Sequence, residues 1–191
     1  MPNKVAKDGK FIYFDISSVN NKTGEYSIEN ILDVNDAPSR ARREIKENDV
    51  LLSTVRPNLK AFALLSNIPK NSIASTGFAV LRCKEKVLPK YVYESLFTDF
   101  MQNQMIGKMG KGAYPSINQT DVENLEIPLP PISVQQEIVK RIEDEQALVN
   151  SNKKLVEIFE QKIKDEINKL WQAAPKDYAM SEGIMTLAAE E

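Results

Sequence analysis

Between residues 40 and 60 the chain carries six basic side chains, Arg40, Arg42, Arg43, Lys46, Arg56 and Lys60, against three acidic ones. At that density guanidinium and ammonium groups make a local positive field, and local fields govern the capture of polyanions more than total charge does. A merely solvated surface is the plain alternative. A second concentration is "GKMGKGAYPSIN", residues 107–118, with three glycines, two lysines, a tyrosine and a proline. It reads either as an ordinary surface loop or as one whose glycines let backbone amides approach phosphates while Lys108 and Lys111 supply charge. Other chemistries lack their residues. With no histidine and one cysteine, Cys83, the 191-residue chain has no His/Cys zinc site, no Ser-His-Asp triad and no Cys-His dyad. It has no Walker A loop and no GxGxxG after a strand. Carboxylates are plentiful, but most lie in charge-rich helical sequence, where they read as solvated face. The expectation is a protein that binds without catalysing, with no cofactor and no metal.

The elements that must position these side chains follow from pattern. The content, 42% hydrophobic and 27% charged, is that of an ordinary globular chain. No run of 18 apolar residues suggests a membrane span, and the N-terminus lacks an apolar h-region, so no secretory signal is expected. The lone thiol suits a reducing cytoplasm. The net charge of −2 hides an asymmetry: residues 1–126 hold 17 Lys/Arg against 15 Asp/Glu, and 127–191 hold 8 against 12. "KFIYFDISSVN" (10–20) predicts a strand closed by the turn "NNKTGE", and a second strand is expected around "EYSIENIL". "APSRARREIKEND" is polar and basic, and Pro38 bars a regular helix before it. "DVLLSTVRPNLKAFALL" reads as two strands broken at Arg56-Pro57-Asn58. "SIASTGFAVLRC" reads as one strand in which Gly77 permits a bulge or a close backbone approach. "PKYVYESLFTDFMQNQMI" has apolar residues three and four apart, predicting one amphipathic helix with Pro89 in its first turn and Gly107 at its end. A short helical turn, "NQTDVENL", then leads into the stiff "IPLPP".

From there a long helix is expected, with Ser133 as N-cap and Gln136 completing a capping box, and with Pro175 marking its end. Apolar residues recur at Ile138, Ile142, Val149, Val156, Phe159, Ile163, Ile167 and Leu170. That is close to a heptad seam, with polar Glu145 and Asn152 at the skipped positions. A helix over 133–172 would be roughly 60 Å long, several times the radius of a domain this size. Such a face needs a partner helix. Asn152 either sets register in that seam or simply faces solvent. The expected fold class is α+β: a globular mixed-sheet domain (1–130), a long coiled-coil-forming helix (131–173) and a C-terminal tail (174–191).

The segments "YFDISSVN", "APSRARREIKENDVLLSTVRPNLK", "STGFAVLR", "GAYPSINQTDVENLEIPLPPISVQQEIV" and "NKKLVEIFEQKIKDEINKLW", in this order over about residues 11–172, resemble the specificity subunit of type I restriction-modification systems. The "IPLPP…QQ.IV" junction before the long charged helix is the most specific part. In that family a target-recognition domain reads a DNA half-site, and the helix pairs antiparallel with a second one. The pair spaces two recognition domains and docks adenine-N6 methyltransferase subunits. The resemblance implies either a fragment of a longer subunit or a half-length form with one recognition domain and one helix, restored to a pair by homodimerisation through Ile138, Ile142, Val149, Asn152, Val156, Phe159, Ile163, Ile167 and Leu170. Two departures stand out. Full-length subunits carry two domains and two helices, and the tryptophan-containing entry of the recognition domain is absent, Trp171 being the only tryptophan. The start "KFIYFDISSVN" also looks like recognition domains fused to the C-terminus of a methyltransferase, although no NPPF/DPPY tetrapeptide is present.

The partners so implied are double-stranded DNA, the methyltransferase subunit and, in systems that have one, a restriction subunit. Arg40, Arg42, Arg43, Arg56 and Lys60 are candidates for phosphates or guanine edges, and Asn58 for adenine. Ser53, Thr54, Ser116 and Asn118 are candidates for phosphate or base edges, and Lys108, Lys111 and Tyr114 belong to the glycine-rich loop. Ser53 and Thr54 have a core-facing alternative, and Asn118 has an N-cap alternative. A coiled-coil adaptor that binds no DNA is the reading from another class.

Overall fold

The computed structural model describes Pro2 and residues 8–177, with side chains described as far as Lys169. The chain divides into two compact units, Met1–Val139 and Lys140–Glu191. In the first, seven strands form two sheets: β1 (Lys10–Phe14), β2 (Ile31–Asp33), β3 (Ala41–Glu44), β4 (Val50–Ser53), β5 (Phe62–Leu64), β6 (Ser72–Ser75) and β7 (Phe78–Leu81). The order β2-β1-β6-β3 makes a mixed sheet, with β1 parallel to β6 and the other pairs antiparallel. The order β5-β4-β7 makes an antiparallel one. Helices α1 (Pro89–Ser95), α2 (Asp99–Lys108) and α3 (Gln119–Glu123) follow, then α4 (Ile132–Asp177). The fold is α+β, as expected.

Strand alternation builds the layers. Ile12 and Phe14 of β1, Leu51 of β4, Ala63 of β5, Ala74 of β6 and Phe78 of β7 fill one core between the two sheets. Their neighbours point the other way. Val50, Leu52, Phe62 and Ala79 meet Leu96, Met101, Met105, Ile117 and Val122 under the helices, while Phe11, Tyr13, Ala41 and Ile73 cover the outer face of the mixed sheet. The three-stranded sheet is therefore buried on both faces, which is why "VLLS" is apolar without alternation.

Several boundaries differ from the sequence reading. β1 stops at Phe14 because Asp15 caps a 3₁₀ turn, Ile16–Ser18, by accepting the Ser18 N–H at 3.1 Å. Of the expected second strand only residues from Ile31 pair; Tyr26 makes a lone bridge to Val19. The basic segment contains β3, an edge strand stitched to β6. "SIASTGFAVL" is two strands in different sheets, and Thr76-Gly77 is the crossover between them. The expected single helix breaks after α1, where the Thr98 hydroxyl accepts the Met101 N–H and starts α2. Gly107 lies inside α2, which ends at Lys108. The long helix starts at Ile132, so Ser133 sits in the first turn; the Pro131 carbonyl accepts the Gln135 N–H at 3.1 Å. It continues past Pro175, the expected end, to Asp177. Residues 174–177, expected in the tail, are helical, and 178–191 lie outside the described residues.

Candidate nucleic-acid interface

The chain leaves β4 through Thr54-Val55-Arg56 and meets the glycine-rich loop there. Thr54 donates both its backbone N–H (2.8 Å) and its hydroxyl (2.9 Å) to the Gly77 carbonyl, and its own carbonyl accepts the Ile117 N–H at 2.9 Å. Val55 and Ser116 form an antiparallel bridge, and the Arg56 N–H donates to the Pro115 carbonyl at 2.8 Å. The 112–117 segment is thus pinned along the end of β4. Its tip is held by one side chain: Arg56 Nη2 donates to the Ala113 carbonyl at 2.9 Å, and the guanidinium lies 4.6 Å from the Tyr114 ring centroid. Tyr114 remains 76% exposed, so the stack sits at the surface. Beside it is a cleft of about 280 Å³ lined by Ile16, Val19, Asn21, Val55, Arg56, Leu59, Ala61 and Tyr114.

Arg56 has φ 48° and Lys60 φ 59°, both left-handed, on either side of the 3₁₀ turn Pro57–Leu59. Buried Pro57 anchors that turn, leaving Asn58 exposed and Arg56 and Lys60 half-buried at its flanks. Each non-glycine residue held there costs on the order of 1 kcal/mol or more.

The remaining candidates divide. Arg40 is exposed, and its carbonyl accepts the Thr76 N–H at 2.9 Å, next to the Gly77 that bonds Thr54. Arg43 reaches Gln119 Oε1 at 3.4 Å, joining β3 to the start of α3. Arg40, Arg43, Arg56, Ser116 and the start of α3 therefore connect through neighbouring backbone and side-chain hydrogen bonds around the sheet crossover. Arg42 turns back, its Nε donating to the Ser39 carbonyl at 2.6 Å. Lys108 ends α2, and Lys111 is exposed in the loop. Three candidates take the alternative that the sequence left open. Ser53 is fully buried and donates to the Val55 carbonyl at 2.8 Å. The Thr54 hydroxyl is committed to Gly77. Asn118 is the N-cap of α3, its Oδ1 accepting the Asp121 N–H at 2.9 Å while Asp121 Oδ2 accepts the Asn118 N–H at 2.8 Å. In each case the side chain serves the fold.

Sequence reasoning passed over several residues that hold the domain together away from this surface. Asp49, 1% exposed, accepts Arg82 Nε at 2.8 Å, Arg82 Nη2 at 2.7 Å and the Lys46 N–H at 2.7 Å. That hydrogen bonding to Asp49 raises the Arg82 pKa. Arg82 is therefore neutralised, unlike the loop cations. Burial pushes the Cys83 thiol up, with Asp49 adding to it. Gln135, fully buried, accepts the Leu88 N–H at 2.9 Å and donates to the Lys86 and Pro130 carbonyls at 3.0 and 2.8 Å. Gln104 pairs with both the N–H and the carbonyl of Glu126, and the Tyr91 hydroxyl donates to the Pro128 carbonyl. These three side chains clamp the "EIPLPP" connection and the first turn of α4. The one signal for Gln135 was its place in the "QQ" pair after "IPLPP".

In the second unit, Val149, Val156, Phe159, Ile163 and Ile167 of the seam are 46–61% exposed, and Asn152 is exposed among them. Nearer the first turn, Ile138 is 36% exposed and Ile142 half-buried. Leu148 and Leu155, 66% and 50% exposed, form a further column beside Val149 and Val156. The side chain of Leu170 lies outside the described residues. Among the described residues no three potential metal-ligating side chains gather, and no helix is long and apolar enough to cross a membrane.

Comparison with known proteins adds to this geometry. The family description "Type I restriction modification DNA specificity domain" matches residues 2–169. The type I restriction enzyme HindI specificity subunit of Haemophilus influenzae is 28% identical over 180 residues, 90% of this chain and 38% of that protein. The putative type I restriction enzyme MjaX specificity subunit of Methanocaldococcus jannaschii is 27% identical over 127 residues, 64% of this chain and 30% of that protein. The crystal structure of the HsdS subunit from Thermoanaerobacter tengcongensis superposes with a TM-score of 0.73 at 31% identity, covering 93% of this chain and 46% of that one. A second solved chain, from work on complex assembly and conformational transition of the type I R-M system, gives 0.69 at 31% identity, covering 97% and 47%. The chain spans less than half the length of these relatives.

Proposed function

The chain belongs to the type I restriction-modification DNA specificity family, and on that premise we propose that it is the DNA-recognition subunit of such a complex, directing an adenine-N6 methyltransferase to a bipartite site. The observation that carries the reading beyond family membership is the surface around the β6–β7 crossover. There Arg40, Arg56, Lys60 and Lys111 make no ion pair with a carboxylate among the described residues, while the buried Asp49 is neutralised by Arg82. Cations left without counter-charges suit phosphates. The DNA-facing set is Arg40, Arg42, Arg43, Arg56, Asn58, Lys60, Lys108, Lys111, Tyr114 and Ser116; Ser53, Thr54 and Asn118 support it from within. The subunit itself supplies recognition, and partners supply catalysis, including a restriction subunit in systems that cleave.

The exposed apolar seam of α4 supports pairing with a second copy. Two recognition domains would then share one two-fold axis, and the DNA target would be an interrupted palindrome. A map of N6-methyladenine in the cell that encodes this chain, with and without its gene, tests the reading. Loss of one bipartite motif on deletion is the expected result, and symmetric half-sites would support the homodimer. An unchanged map in a cell with an active cognate methyltransferase would favour an adaptor that binds no DNA.

A further inference from the structure

We propose that Arg56 reads a guanine in the target and that Tyr114 is its positioning residue; the assignment rests on the DNA-recognition reading above. Among the arginines of the basic segment and its neighbours, Arg42 is folded onto Ser39, and Arg82 is consumed by Asp49. Among these arginines Arg56 alone carries both a backbone hydrogen bond and a ring stack on its guanidinium, and no carboxylate pairs with it among the described residues. Its Cζ lies over the Tyr114 ring, 4.6 Å from the centroid, and its guanidinium hydrogen bond, from Nη2 to the Ala113 carbonyl, restrains the group from a second side. Four of its five N–H donors are left, enough for a two-pronged contact with guanine O6 and N7. A phosphate can be met from many directions, so a cation that serves it needs no locked plane; a base edge admits one orientation. The backbone points the same way. At φ 48° glycine is the residue the chain accepts most readily, so an arginine there is held against the local preference for the sake of its side chain. The same argument explains why an aromatic ring stands 76% exposed at the loop tip.

The test is selection of bound sequences from a randomised duplex pool by the full-length chain and its variants, with affinity for bulk duplex measured across a salt series. Wild type enriches a motif containing an invariant guanine. Arg56→Lys, which keeps the charge and loses the planar fork, is expected to lower preference for that guanine at least tenfold, a larger fold-change than it makes in affinity for bulk duplex. Tyr114→Ala lowers the same preference, and Tyr114→Phe, which keeps the stack, restores it. Arg56→Gly and Arg56→Ala both lose the preference, and the glycine variant melts no lower than the alanine one because it accepts the left-handed backbone. That ordering separates lost reading from lost folding. The assignment is overturned if Arg56→Lys retains the guanine preference. It is also overturned if Arg56→Ala weakens all sequences equally and reduces the salt slope by about one phosphate, the mark of a phosphate contact. A wild-type chain that binds no duplex at low salt would overturn the DNA reading itself, and this assignment with it.

Discussion

Gly24 and Tyr93 show how single residues hold the domain together. Gly24 has φ 72°, and a Cβ built on it would lie 1.9 Å from the Tyr93 hydroxyl and 3.5 Å from the Phe62 carbonyl. Tyr93 in turn packs edge-on against Phe97, which does the same to Phe62. Gly24→Ala therefore combines a strained backbone with a displaced ring, and chemical denaturation should show a loss of about 1–3 kcal/mol. An unchanged midpoint would mean the turn relaxes freely. Burial pushes the Tyr93 pKa up to about 12, with Glu94 adding to it. The folded state thus holds this proton where the unfolded chain has released it. Stability is unaffected below about pH 10 and falls as pH rises from there towards 12. Tyr93→Phe should flatten that fall in alkaline melts; a variant with the wild-type slope would place the titration on another group.

At the scale of elements, the root of α4 depends on Gln135. Its amide satisfies one N–H and two carbonyls inside the domain, so Gln135→Ala leaves three backbone groups without their partner. A loss of about 2–4 kcal/mol is expected, with faster amide exchange at Leu88 as the local readout. Protection unchanged at Leu88 would show that the clamp is redundant. The sequence displayed the long helix, the two strands around Arg56-Pro57 and the N-cap at Asn118, because periodicity, proline and capping residues act locally. It hid what tertiary pairing decides. β3 lies in a polar run because only Ala41 faces a core, and a continuous "SIASTGFAV" gives no sign that its halves join different sheets. The candidate site was legible in its cations and its loop. The inward turn of Ser53 and Thr54 was legible only as an alternative, since it depends on the distant Gly77 and on the ending of β4.

For the whole molecule, the columns on α4 bear on how two copies of the proposed pair would lie. Leu148 and Leu155 sit one residue before Val149 and Val156, on the flank of the seam. In a parallel pair that flank faces the opposite column, here Gln146, Lys153 and Glu160; in an antiparallel pair it faces itself, and Leu148 can meet Leu155 of the other copy. Spin labels at Glu143 should accordingly lie roughly 20 Å or more apart along the axis, and labels side by side would refute the antiparallel arrangement. Ile158→Pro, which costs about 3 kcal/mol in a helix interior, should give a monomer on sedimentation; a persistent dimer would put the interface elsewhere. The clamp at the helix root carries a different consequence. Across the joint Gln104, Tyr91 and Gln135 reach main-chain atoms, at Glu126, Pro128, Leu88, Lys86 and Pro130. A joint that grips backbone is indifferent to the side chains around it. The loops proposed to meet DNA are not gripped by that joint, so others grafted in their place should leave the root of the helix intact.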